Sequence, residues 1–396
     1  MSDYIWLIGF ILSVSIIVYH HFAYPLILRM ITFNQKKRHD SLTIEERNYK
    51  SSKNDLSLPT ITIIVPAFNE EQWIAEKIRN LGSLDYPKDK LTIILALDGC
   101  TDNTADIARD TIQEAICSDT LFIIHDHEVN RGKVAMINGE MKDVIADITV
   151  LTDTSALVSC DSLLLAASHF QQENVGVVNA TYQIMNTQNQ GEATYWQYQS
   201  QLKYNESLIG STIGSHGAFY AFKTKLFTPL EPDTINDDFI LPMRIVLNGY
   251  LSIYEPKMLA IELEQSSDTT DFRRRLRISA GNMQQFIKLK KLLLPRYKGT
   301  AFTFLSGKVL RLTIPYFTIL CLASTLLLSH YPVFQTLAFI QVSIFLIALI
   351  TSIIPSFMLF KPFKLIHYFV LGHIANLAGG LRYLFGFENG HWKRIN

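Results

Sequence analysis

The chain has 396 residues, a length for one or two domains. Acidic and basic residues number 36 each, and no basic stripe with interleaved aromatics appears, which excludes nucleic acid as a partner class. Hydrophobic residues make up 48% and charged residues only 18%, too apolar for an evenly mixed soluble protein, so the excess must be concentrated somewhere.

In chain order, Tyr4 to Leu28 carries no Asp, Glu, Lys or Arg. A bilayer is crossed by about 20 apolar residues, so this stretch predicts one span. It is long for a signal peptide and no Lys or Arg precedes it, which favours an uncut anchor. Arg29, Lys36, Lys37 and Arg38 follow, and basic flanks mark the cytoplasmic side. Asp40 to Pro59 is polar, centred on Ser51-Ser52-Lys53-Asn54, and reads as a linker.

Ile61 to Val65 is a β-branched run that predicts a strand. A helix should follow, with Asn69 as its N-cap and Ile74, Ile78 and Leu81 on its apolar face. Leu91 to Leu97 predicts a second strand. Thr101 to Asp110 predicts a helix with Asp102 and Asp106 in its first turns. Strands are expected at Leu121 to Ile124 and Ile148 to Leu151, with a helix from Gly132 to Val144 between them. This alternation predicts an α/β domain with a parallel core. The first strand-to-helix turn, Val65-Pro66-Ala67-Phe68-Asn69-Glu70-Glu71, lacks Gly-x-Gly-x-x-Gly. That argues against a dinucleotide fold and a P-loop.

Gly281 to Leu294 sets Met283, Phe286, Ile287 and Leu289 among Lys288, Lys290 and Lys291, the pattern of an amphipathic interfacial helix. Leu312 to Phe360 is free of charge and long enough for two spans, with a break expected near Ser329-His330-Tyr331-Pro332. Basic residues up to Lys308 and Arg311 place its start on the cytoplasmic side. Leu365 to Leu381 contains His367, His373 and Asn376 and ends at Arg382. If it spanned, the tail His391-Trp392-Lys393-Arg394 would lie outside against the charge rule, which favours an interfacial or re-entrant helix. The expected organisation is therefore an anchor (1–30), a linker (31–58), a cytoplasmic catalytic domain (59–280), an interfacial segment (281–308) and a membrane region (309–396), in a multi-pass protein of the cell (inner) membrane. Cys100, Cys117, Cys160 and Cys321 are scattered without metal spacing and read as reduced thiols.

Three acids stand at telling places. Asp98 and Asp153 follow predicted strands, and Asp238 precedes an apolar run that suits a helix. Carboxylates at strand ends point into the crevice where α/β folds bind ligands. Three of them can hold a nucleotide, hold a metal and accept a proton.

The stretches Ile64 to Glu71, Asp98-Gly99-Cys100-Thr101-Asp102, Asn130-Arg131-Gly132-Lys133, Thr152-Asp153-Thr154-Ser155, Gly214-Ser215-His216-Gly217-Ala218, Asn236-Asp237-Asp238 and Arg274-Arg275-Leu276-Arg277-Ile278 occur in this order. Together, from about Thr60 to Gln285, they resemble the family 2 glycosyltransferases. These membrane-anchored inverting enzymes include hyaluronan, cellulose and poly-N-acetylglucosamine synthases and ceramide glucosyltransferase. The resemblance implies a GT-A type nucleotide-sugar-binding domain, a Rossmann-like mixed sheet, between N- and C-terminal transmembrane helices. It implies donor contacts from Ala67, Phe68, Glu70 and Asp98, and diphosphate contacts from Arg131, Lys133, Arg274 and Arg277. Asp153 would hold a divalent cation, Mg2+ or Mn2+, with Ser155 in the place of the motif's second acid. Asp238 would be the catalytic base. Asp237 and His216 would lie on the acceptor side. Tyr195, Trp196, Tyr198 and Tyr204 suit core packing better than a sugar site.

The partners the resemblance implies are a nucleotide-sugar donor, a UDP-sugar, a lipid or polysaccharide acceptor, membrane lipids, and synthase or export partners. Ile278 replaces the family's Trp, which favours a non-processive lipid glycosyltransferase. The run from Ser215 to Tyr220 looks more like bacterial polysaccharide enzymes. A catalytically inactive partner subunit is the rival of another class; intact Asp98, Asp153 and Asp238 speak against it.

Overall fold

The computed structural model describes residues 2–35, 53–185, 190–264 and 268–387. Residues 36–52 of the expected linker and the basic tail fall outside these residues, while Lys53–Ser57 form a 3-10 turn. The chain forms two compact units, Met1–Ile27 with Asp268–Lys290 and Phe302–Asn389, and Leu28–Ser267 with Lys291–Ala301 and Gly390–Asn396.

The chain begins with α1 (Ser2–Val18), a π-helical turn (Tyr19–Ala23) and α2 (Tyr24–Thr32). The α/β unit then runs β1 (Ile61–Ala67), α3 (Ile74–Gly82), β2 (Leu91–Asp98), α4 (Thr104–Thr111), β3 (Leu121–His127), α5 (Lys133–Glu140), β4 (Ile148–Leu151), β5 (Ala156–Val158), α6 (Ser162–Phe170), β6 (Val175–Ile184), α7 (Gln190–Ile209), β7 (Tyr220–Lys223), α8 (Asp237–Leu247) and β8 (Leu251–Glu262). Then come α9 (Asp268–Leu289), α10 (Gly299–Thr303), a second π-helical segment (Phe304–Val309), α11 (Leu310–Leu327), α12 (Pro332–Ile353) and α13 (Lys361–Leu384).

Eight strands form one sheet in the order β3-β2-β1-β4-β7-β6-β8-β5. Its first four strands are parallel, as the strand–helix alternation predicts. Beyond β4 the sheet is mixed: β7 runs antiparallel to β4 and β6, β8 pairs parallel with β6, and β5 closes the edge antiparallel. Every residue of β1 is buried, as a central strand covered on both faces requires. Because β1, β2 and β4 are parallel, the chain following Ala67, Asp98 and Leu151 leaves the sheet at one end. The site is built at that end.

Two expected helix starts are corrected. Asn69 is not an N-cap, because its φ of 55° is left-handed and α3 begins only at Ile74. Its side-chain oxygen instead accepts from the Thr101 amide at 2.8 Å, tying the first turn to the second. The second helix begins at Thr104 rather than Thr101, because the Asp102 carboxylate accepts from the Thr104 amide at 3.0 Å and holds the preceding residues in a turn.

Among the described residues, Asp3–Thr32, Gly299–Leu327 and Pro332–Ile353, which fall largely in the first-named unit, are long and apolar enough to cross a membrane. The break between the last two falls at the expected Ser329–Tyr331 turn. The helix covering Leu365 to Leu381 is not among these three. It packs on α9 through a small residue, since a Cβ on Gly379 would come within 2.5 Å of the Leu276 carbonyl oxygen. Helix α9 runs unbroken through residue 280, so the boundary expected there marks no break in the backbone.

Candidate active site

Asp98 ends β2 fully buried. Its two oxygens accept from the backbone amides of Arg131 at 2.8 Å and Gly132 at 2.7 Å. The loop reaches it because residue 99 is glycine: φ is +66°, and a Cβ would stand 2.4 Å from the Asn130 nitrogen. Asp98 thus fixes the segment that launches α5. Expected as a donor contact, it spends both oxygens on this loop. Arg131 is exposed, and Lys133 heads α5 directly behind it.

The Lys133 ammonium lies 2.7 Å from Asp153 Oδ1 and 3.7 Å from Asp237 Oδ2. The first contact is a hydrogen-bonded ion pair; the second is too long for a hydrogen bond and acts through charge. Burial opposes the charge on Lys133, but Asp153, Asp237 and Asp238 outweigh it and raise its pKa. Burial also works against ionising Asp153, and Lys133, with His216 and Lys77, reverses this and lowers its pKa. Asp153 keeps 36% of its side chain exposed, so it remains open to a ligand.

Asp237 and Asp238 form the first turn of α8. Burial, then the charge of Asp237, pushes the Asp238 carboxyl up to about 6. Helix-start dipoles favour carboxylates, yet desolvation and the like charge prevail here. Asp238 Oδ2 accepts from the Gly217 amide at 3.1 Å. The Gly217 carbonyl accepts from the Asp153 amide at 3.1 Å. One residue therefore holds both acids. It must be glycine, because a Cβ would stand 2.7 Å from Asp153 Oδ2. His216 stacks on Tyr182 with ring centroids 3.8 Å apart, meets Trp196 edge-on at 5.5 Å, and accepts from the Ala218 amide at Nδ1.

Several contributors escape a reading of the sequence. Lys77 is fully buried on α3, donates to Thr152 Oγ1 at 2.6 Å and bonds the Ala156 carbonyl. Thr152 Oγ1 in turn donates to the Ala218 carbonyl at 2.6 Å. Lys77 thereby braces both ends of the turn carrying Asp153. Burial pulls its pKa down to about 7, against the pull of Asp153 and Glu262. The available signal was a lysine on the stripe of Ile74, Ile78 and Leu81. Tyr220 is buried with an unpartnered hydroxyl and feels Asp237, Asp238 and Asp153, which with burial raise its pKa. Part-buried Lys203 donates to the Gly214 carbonyl at 2.6 Å and faces Asp238 through charge.

Of the expected residues, Asp98, Arg131, Lys133, Asp153, His216, Asp237 and Asp238 come together. Ala67 is buried, and its carbonyl accepts from the Cys100 thiol; Phe68 and Glu70 follow it in the turn. Ser155 is buried and bonds Glu262, so its hydroxyl is already engaged. Arg274 and Arg277 lie on α9 in the other unit. Trp196 packs against the core, as expected, Tyr198 is exposed against that expectation, and the Tyr195 side chain lies outside the described residues.

Among the described residues no group of three or more His, Cys, Asp or Glu is arranged to hold a metal. A cage of protein ligands is therefore absent from them. Mg2+-type ions instead use one or two carboxylates and take their other oxygens from substrate phosphates and water. Asp153, half open, and the unbonded Oδ2 of Asp237 fit that lighter demand.

A sequence model described as Glycosyltransferase like family 2 matches residues 59–281, more than half of the chain. Poly-beta-1,6-N-acetyl-D-glucosamine synthase of Staphylococcus aureus is 25% identical over 249 residues, covering 61% of this chain and 59% of that protein. The Staphylococcus epidermidis enzyme of the same name is 25% identical over 236 residues, covering 58% and 56%. The chain thus matches under two thirds of the length of these curated relatives. A mannosyltransferase from Pyrobaculum calidifontis, solved in complex with GDP-Man and Mn2+, superposes with a TM-score of 0.68 at 21% identity, covering 96% of this chain and 99% of that one. At that identity the likeness shows the fold.

Gly217→Ala should lower turnover at least about 100-fold with little loss of thermal stability, since misplacing reacting groups by about 1 Å costs that much. Turnover within threefold of the parent would refute the dual role of Gly217. Lys77→Met keeps the volume but leaves the Ala156 carbonyl and Thr152 Oγ1 without their buried donor, which costs stability. The melting temperature should fall and turnover should drop about tenfold. Equal turnover in Lys77→Met and the parent would reduce Lys77 to a packing residue.

Proposed function

The chain belongs to the family 2 glycosyltransferases, and from that premise we propose that it inverts configuration, moving a sugar from a nucleotide donor to a lipid or polysaccharide acceptor at the cytoplasmic membrane face. The observation that carries this reading is Asp238, a carboxyl raised to about 6, held by the Gly217 amide beside the Lys133–Asp153 pair. A single displacement needs a base on one side of the anomeric carbon and cations on the other.

In this mechanism the acceptor hydroxyl loses its proton to Asp238 as its oxygen bonds the anomeric carbon. The bond from that carbon to the diphosphate breaks, and the electron pair leaves with the phosphate. General-base assistance of this kind supplies typically ~10²–10⁴-fold. Lys133 and exposed Arg131 are the cations available to the diphosphate, held in place by Asp98. Asp153 would hold a divalent cation, which when bound would supply charge neutralisation to the leaving diphosphate. The Mn2+ complex of the Pyrobaculum enzyme supports this use of a cation. The donor is a nucleotide sugar, and the proposed nucleotide is UDP. Arg274 and Arg277 are proposed as further diphosphate contacts and His216 as an acceptor-side residue. One span is proposed within each of the three apolar helices, with residues 29–311, which include the polar ends of the first two, on the cytoplasmic side.

Ile278 favours a non-processive variant of this reading. It stands 39% exposed on α9 where the family's Trp would offer a sugar platform.

The deciding measurement is donor hydrolysis by the purified chain across a panel including UDP-GlcNAc and GDP-Man, with and without Mn2+. EDTA should abolish turnover, and Asp153→Ala should remove the Mn2+ dependence of donor binding. Turnover insensitive to EDTA would rule out the metal role. Asp238 must be ionised to act, so kcat/KM should fall as pH drops through about 6. Asp238→Asn should lose turnover by about 10²-fold or more yet keep donor affinity. In a less impaired variant, Asp237→Asn, the acid limb should move to lower pH, because removing the like charge lowers the Asp238 pKa; an unmoved limb would overturn the assignment.

A further inference from the structure

A second cluster of ionisable groups lies in the helical unit. We propose that Arg311, His21 and His373 form a binding site for the phosphate group of a membrane lipid. The inference rests on the reading that these helices cross a bilayer and is independent of the sugar transferred.

The cluster is built where two helices depart from α geometry. The π-helical turn Tyr19–Ala23 meets the π-helical segment Phe304–Val309. Tyr19 Oη bonds Ser306 Oγ at 2.9 Å, and His20 Nδ1 lies 2.9 Å from the Ser306 carbonyl oxygen. A carbonyl only accepts, so His20 carries its proton on Nδ1 there. Tyr19 and His20 are therefore structural, meeting polar groups that a π-helix displaces. Single π turns of this kind recur at functional sites.

The adjacent side chains have no such structural duty. The rings of His21 and His373 are 6.0 Å apart, and Phe369 touches both, at 5.7 Å and 4.5 Å. His21 Nε2 is buried without a hydrogen-bond partner among the described residues. Arg311 acts electrostatically on His20, His21 and His373. Asn376 Nδ2 donates to the Arg311 backbone carbonyl at 2.8 Å, anchoring α13 beside it. No carboxylate pairs with Arg311 among the described residues. The cluster is thus three imidazoles and a guanidinium with no acid.

Such a cluster asks for an anion. Guanidinium presents a fork of N–H groups that matches phosphate oxygens, and His21 Nε2 offers another donor when protonated. The depth also fits. Helix α1 has 17 residues before the π turn, a rise of about 26 Å against a hydrocarbon core of about 30 Å. The cluster therefore lies near one boundary, where lipids keep their phosphates. Phe369 and Ile374 stand 53% and 49% exposed beside it, an apolar wall suited to acyl chains rather than to free phosphate.

The test uses the full chain in detergent, with phosphatidylglycerol as the probe and native mass spectrometry as the readout. One lipid should be retained per chain. Arg311→Gln should weaken retention about tenfold, the value of one charge-assisted contact. Arg311→Lys, which keeps the charge but not the fork, should fall between, and His21→Gln with His373→Gln should also weaken it. Lys361→Gln, an exposed lysine elsewhere in the unit, should change nothing. Undiminished retention in Arg311→Gln overturns the site, as does equal loss in Lys361→Gln. Displacement by millimolar inorganic phosphate overturns the lipid assignment. Carbonate extraction separates the premises: a chain released from membranes fails the membrane reading, whereas a chain retained there without bound lipid fails the site alone. Donor hydrolysis by the same preparation reports on the catalytic reading independently.

Discussion

The α/β unit turns on a single ammonium facing three carboxylates. Asp153, Asp237 and Asp238 converge on Lys133, and without it their mutual repulsion would drive them to protonate or move apart. Lys133 bonds only one of them directly, at 2.7 Å. The compensation is therefore uneven: Asp153 is held ionised while Asp238 is left with a raised pKa. Two carboxyls near one lysine thus acquire different chemistry: Lys133 bonds Asp153 directly, whereas burial and the charge of Asp237 prevail at Asp238. One suits a ligand and the other a base.

Holding this arrangement falls mainly to backbone. Asp98 grips the amides of Arg131 and Gly132, and Gly217 gives its amide to Asp238 and its carbonyl to Asp153. Both devices need a missing Cβ, at Gly99 for the approach of Asn130 and at Gly217 for the approach of Asp153. Amides carry no rotamers, so the acids are fixed without ordering further long side chains.

The strands of the parallel half and the acids at their ends were legible in the sequence because a buried parallel strand is a continuous β-branched run. The helix starts at Asn69 and Thr101 were not, because the side chains that suit a cap were taken by partners from the neighbouring turn, about thirty residues away. The mixed half, β5 to β8, was visible only through the family resemblance: its strand order depends on long-range pairing that no local pattern encodes. Lys77 shows another limit. A charge on an apolar stripe announces burial in the sequence, but its partners, Thr152 and Ala156, lie across the fold.

The same raised carboxyl sets activity against stability. A folded state in which Asp238 titrates near 6 binds its proton more tightly than the unfolded chain, whose Asp titrates near ~3.9. Between these values stability falls as pH rises, by linkage, while the fraction of ionised base grows. The surrounding charges bear on the same balance. Asp153, Asp237, Asp238 and Glu262 are set against Lys77, Lys133 and Lys203, so the cluster is short of positive charge before any donor arrives. A donor diphosphate adds more negative charge, and Lys133, the lysine proposed to meet it, already faces Asp153, Asp237 and Asp238. This deficit is an argument, from charge alone, for a divalent cation beside the donor diphosphate.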